Sequence, residues 1–84
     1  MAKVIMMRMA VLKAAPCLAK VPITPPDRRH QLTGDRDEQF AVDLVHPHRL
    51  VFVPDHESIP LRGDGGIDTE RVRAITIVEV IDYH

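Results

Sequence analysis

Three prolines in nine residues, in VPITPPDRR at 21–29, forbid a helix there and divide the chain into two stretches of different character. Before them, residues 2–15 (AKVIMMRMAVLKAA) are good helix formers with neither Gly nor Pro, so a helix is expected that Pro16 ends or bends. After them the strand signals begin. His30 to Thr33 is a short candidate, closed by a turn at Gly34-Asp35. QFAVDLV (39–45) alternates Phe40, Val42 and Leu44 with Ala41, Asp43 and Val45. His46-Pro47 reverses the chain, and RLVFV (49–53) returns antiparallel. PDHESIPLRGDGGIDTE (54–70) is a long polar excursion punctuated by Gly and Pro. VRAITIVEVIDY (72–83) is the strongest strand; it is apolar on both faces over Ala74–Val78, which predicts a central position. The whole reads as an α+β fold: an N-terminal helix packed on a three- to four-stranded antiparallel sheet.

The helix carries more apolar surface than a surface helix needs. Val4, Val11, Ala15 and Leu18 fall on one side, and Ile5, Met9 and Leu12 on another, so cover on two sides is expected. No Ser, Thr, Asp or Asn precedes it as a cap. Both features suit a packing partner supplied from elsewhere.

At 84 residues the chain has room for one domain, 1–84, that buries only roughly 60–65% of the surface its unfolded form exposes. Its 45% hydrophobic content excludes a disordered chain. No apolar run reaches the ~20 residues of a membrane span, and Lys and Arg interrupt the N-terminal apolar stretch, against a signal peptide. With one cysteine, Cys17, no internal disulfide is available, and the reading is a soluble cytoplasmic protein. The net charge of −1 hides an asymmetry: seven cations against two acids up to Arg36, then four cations against ten acids. A basic half suggests an anionic partner for one face, although two oppositely charged halves packing together give the same count.

Five histidines stand out: His30, His46, His48, His56 and His84. A zinc site needs three or four converging ligands, and no Cys pair or HExxH accompanies them, so no metal is expected. Arg62–Asp64 spells RGD, which a cytoplasmic chain has no use for. Cys17, beside a proline, reads as a packing residue at the helix end.

A longer pattern is more specific. HQLTGDRDEQFAVDLVHPHRLVFVP (30–54), with ITIVEVIDYH at the C-terminus, resembles the HigB-like branch of the RelE superfamily of type II toxin–antitoxin toxins. The residues that carry the likeness are His30, Leu32, Gly34, Asp35, Arg36, Phe40, Arg49, Phe52 and the terminal Asp82, Tyr83 and His84, with Asp64–Gly66 and Asp68 in the loop before the last strand. The likeness runs from about Val4 to the end.

The resemblance implies a cytoplasmic bacterial toxin, a plasmid-maintenance killer protein that enters the ribosome and cuts mRNA until a cognate helix-turn-helix antitoxin neutralises it. Cleavage by the RNA's own 2′-OH needs one group to take that proton, another to protonate the leaving oxygen, and cations to hold the developing charge. Histidine titrates near neutrality and suits either proton role, and arginine offers a planar, permanent fork for phosphate. By resemblance, His30 and His84 are the acid/base candidates, Arg49 and Arg36 clamp phosphate, Tyr83 stacks on a base or orients the nucleotide, and Asp82 orients a neighbouring His or Arg. Lys13, Lys20, Arg28 and Arg29 are added as RNA-binding cations from the basic half. No cofactor is implied.

The chain departs from that pattern in three ways. The lysine the family places before the glycine is Thr33, and losing such a cation can cost ~10²–10³ in rate. An arginine that some relatives carry on the hairpin falls at Val45. The chain also starts inside what corresponds to the family's second helix, so a first strand and first helix are expected to be missing. An exposed sheet edge should result, and with it a homodimer through that edge or through the N-terminal helix. Thr33 and the short N-terminus also fit a non-catalytic relative that binds an antitoxin or itself.

Overall fold

The computed structural model describes residues 1–82. Helix α1 spans Ala2–Ala14. It stops because the residue before a proline is driven out of helical space, and Ala15, ahead of Pro16, is extended. Ala15 N–H still reaches the Val11 carbonyl at 3.1 Å, closing the last turn. No side chain caps the N-terminus, as the sequence predicted.

Beyond a 3-10 turn at Leu18–Lys20 and the proline connector come four strands: β1 (His30–Gln31), β2 (Phe40–Asp43), β3 (His48–Pro54) and β4 (Ile75–Asp82). They form one sheet in the order β1-β2-β3-β4, every neighbour antiparallel. β2 and β3 make a hairpin through His46-Pro47, with a cis peptide bond between those residues. β1 and β2 are joined through a 3-10 turn at Gly34–Arg36, and Gly34 enters it at φ 68°, where a side chain would be strained.

The two-residue alternation of the strands sorts the sheet into two faces. Phe40, Val42, Leu50 and Phe52 point towards α1 and are buried; Phe40 and Phe52 stack with centroids 6.1 Å apart. Val4, Ile5, Val11 and Leu12 of α1 pack on them, and Leu18, Val21, Ile67 and Val72 close the core from the connector and the long loop. The second face carries a small apolar strip of Leu32, Ala41 and Val51 flanked by Ile81, with polar residues around it.

The long loop from 55 to 74 is tied down. Val72 and Thr69 carbonyls accept from Leu18 and Ala19, and Arg73 N–H donates to His56 Nε2 at 3.0 Å. The RGD segment folds on itself: Asp64 accepts from Gly66 N–H at 2.8 Å and pairs with Arg62 at 3.3 Å. Those two contacts, the backbone hydrogen bond first, hold the Asp64 carboxyl below its ordinary value.

Two expectations are corrected. β4 is an edge strand, and the central position belongs to β3, whose Leu50, Val51 and Phe52 are buried. α1 is covered on one side only: Met1, Met6, Met7 and Met9 are exposed. Strand order makes β4 an edge; the one-sided cover of α1 has its own cause. Arg8, in the middle of the inward stripe, is buried, donates from Nε to the Asp43 carbonyl at 2.7 Å and lies 3.7 Å from the buried Asp27 carboxylate. These contacts hold α1 over the β2 side of the sheet, and β4 is left uncovered. Apolar residues on both faces of a strand show that it needs cover, not that its own chain supplies it.

Candidate functional site

The second face of the sheet brings together residues from far apart in the chain. His30 on β1 pairs in register with Ala41 of β2, and Arg49 on β3 pairs with Asp43 of β2. All of these point away from α1. His30 and Arg49, 19 residues apart in sequence, meet there: Arg49 Nη1 lies 3.1 Å from His30 Nε2. The other ring nitrogen, Nδ1, is 2.8 Å from the Arg28 carbonyl, which can only accept. The partners therefore assign the proton to Nδ1 and leave Nε2 as the acceptor facing Arg49.

Asp43 organises the cations around this contact. Its two carboxylate oxygens lie 3.6 Å from Arg49 Nε and 3.5 Å from Arg28 Nε. Its backbone is fixed from behind, its N–H donating to the Asp27 carbonyl at 2.8 Å and its own carbonyl accepting from Arg8. Arg28 itself sits at φ 49°, a left-handed conformation that costs a non-glycine residue roughly 1–2 kcal/mol. That turn is what aims its carbonyl at His30. Arg29 donates from Nε to the Val21 carbonyl at 3.0 Å; burial draws its guanidinium below the ordinary value, with Cys17 acting in the opposite sense. A shallow pocket of about 280 Å³ is bounded by Ile23, Arg28, Arg29, His30, Asp43 and Arg49. A neighbouring hollow of about 260 Å³ adds His46 and His48 from the hairpin.

The remaining candidates are distributed around this centre. Arg36 extends across the same face to Glu79 of β4 at 2.7 Å and to Gln39 at 2.9 Å. Asp82 is opposite His48 in register, which places it on the α1 side, away from His30. Lys13 lies on α1, on that same other side, and Lys20 is exposed on its 3-10 turn. Tyr83 and His84 lie outside the described residues. Among the described residues no three His, Cys, Asp or Glu side chains converge.

Glu79 is the site residue that sequence reasoning passed over; Asp43 reads from the sequence only as a cross-hairpin partner that Arg49 could pair with, a pair the structure contains. For Asp43 the signal existed. An acid at the end of one strand of a hairpin, with an arginine at the start of the other, is a cross-strand pair. Glu79 gave none, because its meeting with Arg36 depends on which strand lies beside β3.

Chemically, the face offers an imidazole with a directed lone pair, three arginines around an open pocket beside it and a fourth further along. It suits binding and proton transfer at a phosphodiester. In comparisons with protein-family models, with curated proteins and with solved structures, no match is found.

Proposed function

We propose that the chain is a RelE-like toxin of the HigB type, a metal-independent endoribonuclease that cuts ribosome-bound mRNA, held in check by a helix-turn-helix antitoxin. The observation that carries the reading is the contact between Arg49 and His30 at 3.1 Å on one open face, with Arg28 and Arg29 around the same pocket. In this reading the phosphate enters that pocket and draws Arg49 onto its oxygens. His30 Nε2 then takes the proton of the ribose 2′-OH. The 2′-oxygen bonds to phosphorus, the bond from phosphorus to the 5′-oxygen breaks, and that oxygen takes a proton. The products are a 2′,3′-cyclic phosphate and a 5′-hydroxyl. The acid role falls to His84 and base stacking to Tyr83, both as the resemblance implies.

The test is expression with and without an antitoxin, followed by mapping of mRNA 5′ ends. Cleavage that stops in His30→Ala and Arg49→Ala variants, which still fold, supports the reading. Intact mRNA with folded wild-type protein present refutes it.

One observation favours a second reading, a non-catalytic relative that retains antitoxin binding. Asp43 pairs with both Arg28 and Arg49, and Glu79 with Arg36, so the cations of the face have partners before RNA arrives. On that reading the protein binds an antitoxin without toxicity, and Thr33→Lys does not confer cleavage.

A further inference from the structure

β4 is the last strand on its side of the sheet, and no strand among the described residues pairs with its outer edge. Its eight residues give an edge of about 27 Å. Between the polar Thr76, Glu79 and Asp82 its apolar side chains are open: Ile77 is 39% exposed, Val78 46% and Val80 44%. Between α1 and β4 runs a groove of about 440 Å³ whose walls include Met6, Met9, Leu12, Ile75 and Ile77. A long, apolar, uncovered edge is what stable monomers avoid.

We propose that this edge is where a second copy of the chain binds, β4 pairing with β4 of its partner, antiparallel, about a two-fold axis perpendicular to the sheet. The shape of β4 supplies the argument. The only register that pairs all eight residues sets Ile75 against Asp82, Thr76 against Ile81, Ile77 against Val80 and Val78 against Glu79. In a regular strand this end-to-end register would fail, because each residue would meet one pointing to the opposite face. β4 is not regular. Val51 pairs with Glu79 but the next residue, Phe52, pairs with Ile77, so Val78 is an extra residue in a bulge. The bulge shifts the alternation by one. Ile75, Ile77, Val80 and Asp82 therefore all lie on the α1 side, and Thr76, Glu79 and Ile81 on the other. The self-paired strand then sets like face against like face along its length, and neither acid meets an acid.

The product is an eight-stranded sheet. The open grooves beside Met6 and Met9 of the two copies border one another over the new seam. The two His30–Arg49 faces lie on the opposite side, both directed the same way, with seven strand spacings between the β1 strands, about 34 Å. The inference does not depend on the activity proposed above.

Edge pairing alone makes a small interface, so sedimentation of the full chain should extend from about 10 µM to about 1 mM. A monomer–dimer equilibrium is expected, abolished by Ile77→Lys and by Val80→Lys with the far-UV spectrum unchanged. A monomer at every concentration, or a dimer that survives both lysines, overturns the proposal. The register has its own test, which holds even if a lysine variant misfolds. In a Cys17→Ser background, oxidising a mixture of Ile77→Cys and Val80→Cys chains should give a disulfide dimer that neither chain gives alone. Equal yields from the mixture and the separate chains refute the pairing.

Discussion

Arg8→Met tests how the helix is attached to the sheet. Arg8 lies on the inward stripe of α1 between Val4 and Ile5 on one side and Val11 and Leu12 on the other, and only 8% of it is exposed. Methionine keeps a similar length and apolar stem, so what is removed is chiefly the guanidinium. The hydrogen bond to the Asp43 carbonyl goes with it, and Asp27, 6% exposed, keeps a buried carboxylate without the cation beside it. A lost charge-assisted hydrogen bond is worth about 1.5–3 kcal/mol. Breaking one side of a buried pair costs about 3–5 kcal/mol in all. A chain of 84 residues has a total stability of about 4–13 kcal/mol, so the variant loses about a quarter of it or more. Asp27→Asn leaves an amide oxygen facing Arg8 and the bond to Asp43 intact, and should cost about 1–2 kcal/mol. Arg8→Met with Asp27→Leu removes both charges and should return to within about 1 kcal/mol of wild type. Urea unfolding followed by far-UV circular dichroism reads these as midpoint shifts at constant slope, about 3–5 M for Arg8→Met at a slope of about 1 kcal/mol/M. A loss below about 1 kcal/mol for Arg8→Met, or a double variant as unstable as the two singles combined, would refute the reasoning.

Asp43→Asn should strengthen binding of inorganic phosphate or short RNA by about 3–10-fold at low salt, because it removes the anion that competes for Arg28 and Arg49; weaker binding by calorimetry would mean that Asp43 positions the cations instead. Thr33→Lys should raise the rate of mRNA cleavage by about 10²-fold, read from the same 5′-end mapping, and an unchanged rate would place that residue outside the phosphate's reach. Phe52→Ala should cost about 3–5 kcal/mol in urea unfolding, since it empties the centre of the core against Phe40. Asp64 should titrate by NMR below the ordinary carboxylate value: its contacts with Gly66 and Arg62 contribute fully above the unfolded-state value and are lost as pH falls through the lowered one.

The parts of the fold legible in the sequence were those governed by local rules. Pro16 ended α1, the prolines at 22, 25 and 26 held the connector open, and Phe40, Val42 and Leu44 faced the core because a half-buried strand alternates with period two. What was not legible depended on partners distant in the chain. Strand order decided that β4 would be an edge, and its own residues carry no mark of which neighbour is present. The burial of Arg8 sits between these cases. It occupies the fourth position after Val4 and the third after Ile5, so the stripe itself pointed inward there, yet a charge is read as surface by default. Asp27, its partner, lay in the proline-rich segment, where the sequence suggested only an extended connector. Of the site, His30 and Arg49 were legible only through an ordered resemblance; neither carries a local signal of its own. The Asp43 carboxylate that joins Arg49 to Arg28 followed from hairpin register.

The geometry of that face makes its two chemical roles compete for one side chain. While Arg49 points at His30 Nε2, the lone pair that would accept a proton is occupied, and while Asp43 lies beside Arg49, part of the cation's charge is neutralised. The Arg49–Asp43 pair, about a quarter exposed and at 3.6 Å longer than a close hydrogen bond, is a loose ion pair that a phosphate can displace. A phosphate offers Arg49 a bidentate partner of higher charge than the neutral imidazole does. The movement that satisfies the phosphate is then the same movement that frees Nε2. On the proposed reading, proton abstraction at this site would be tied to the arrival of the anion it acts on, and without RNA the imidazole would stay engaged. On that reading Arg49 supplies both the resting contact with His30 and the phosphate contact.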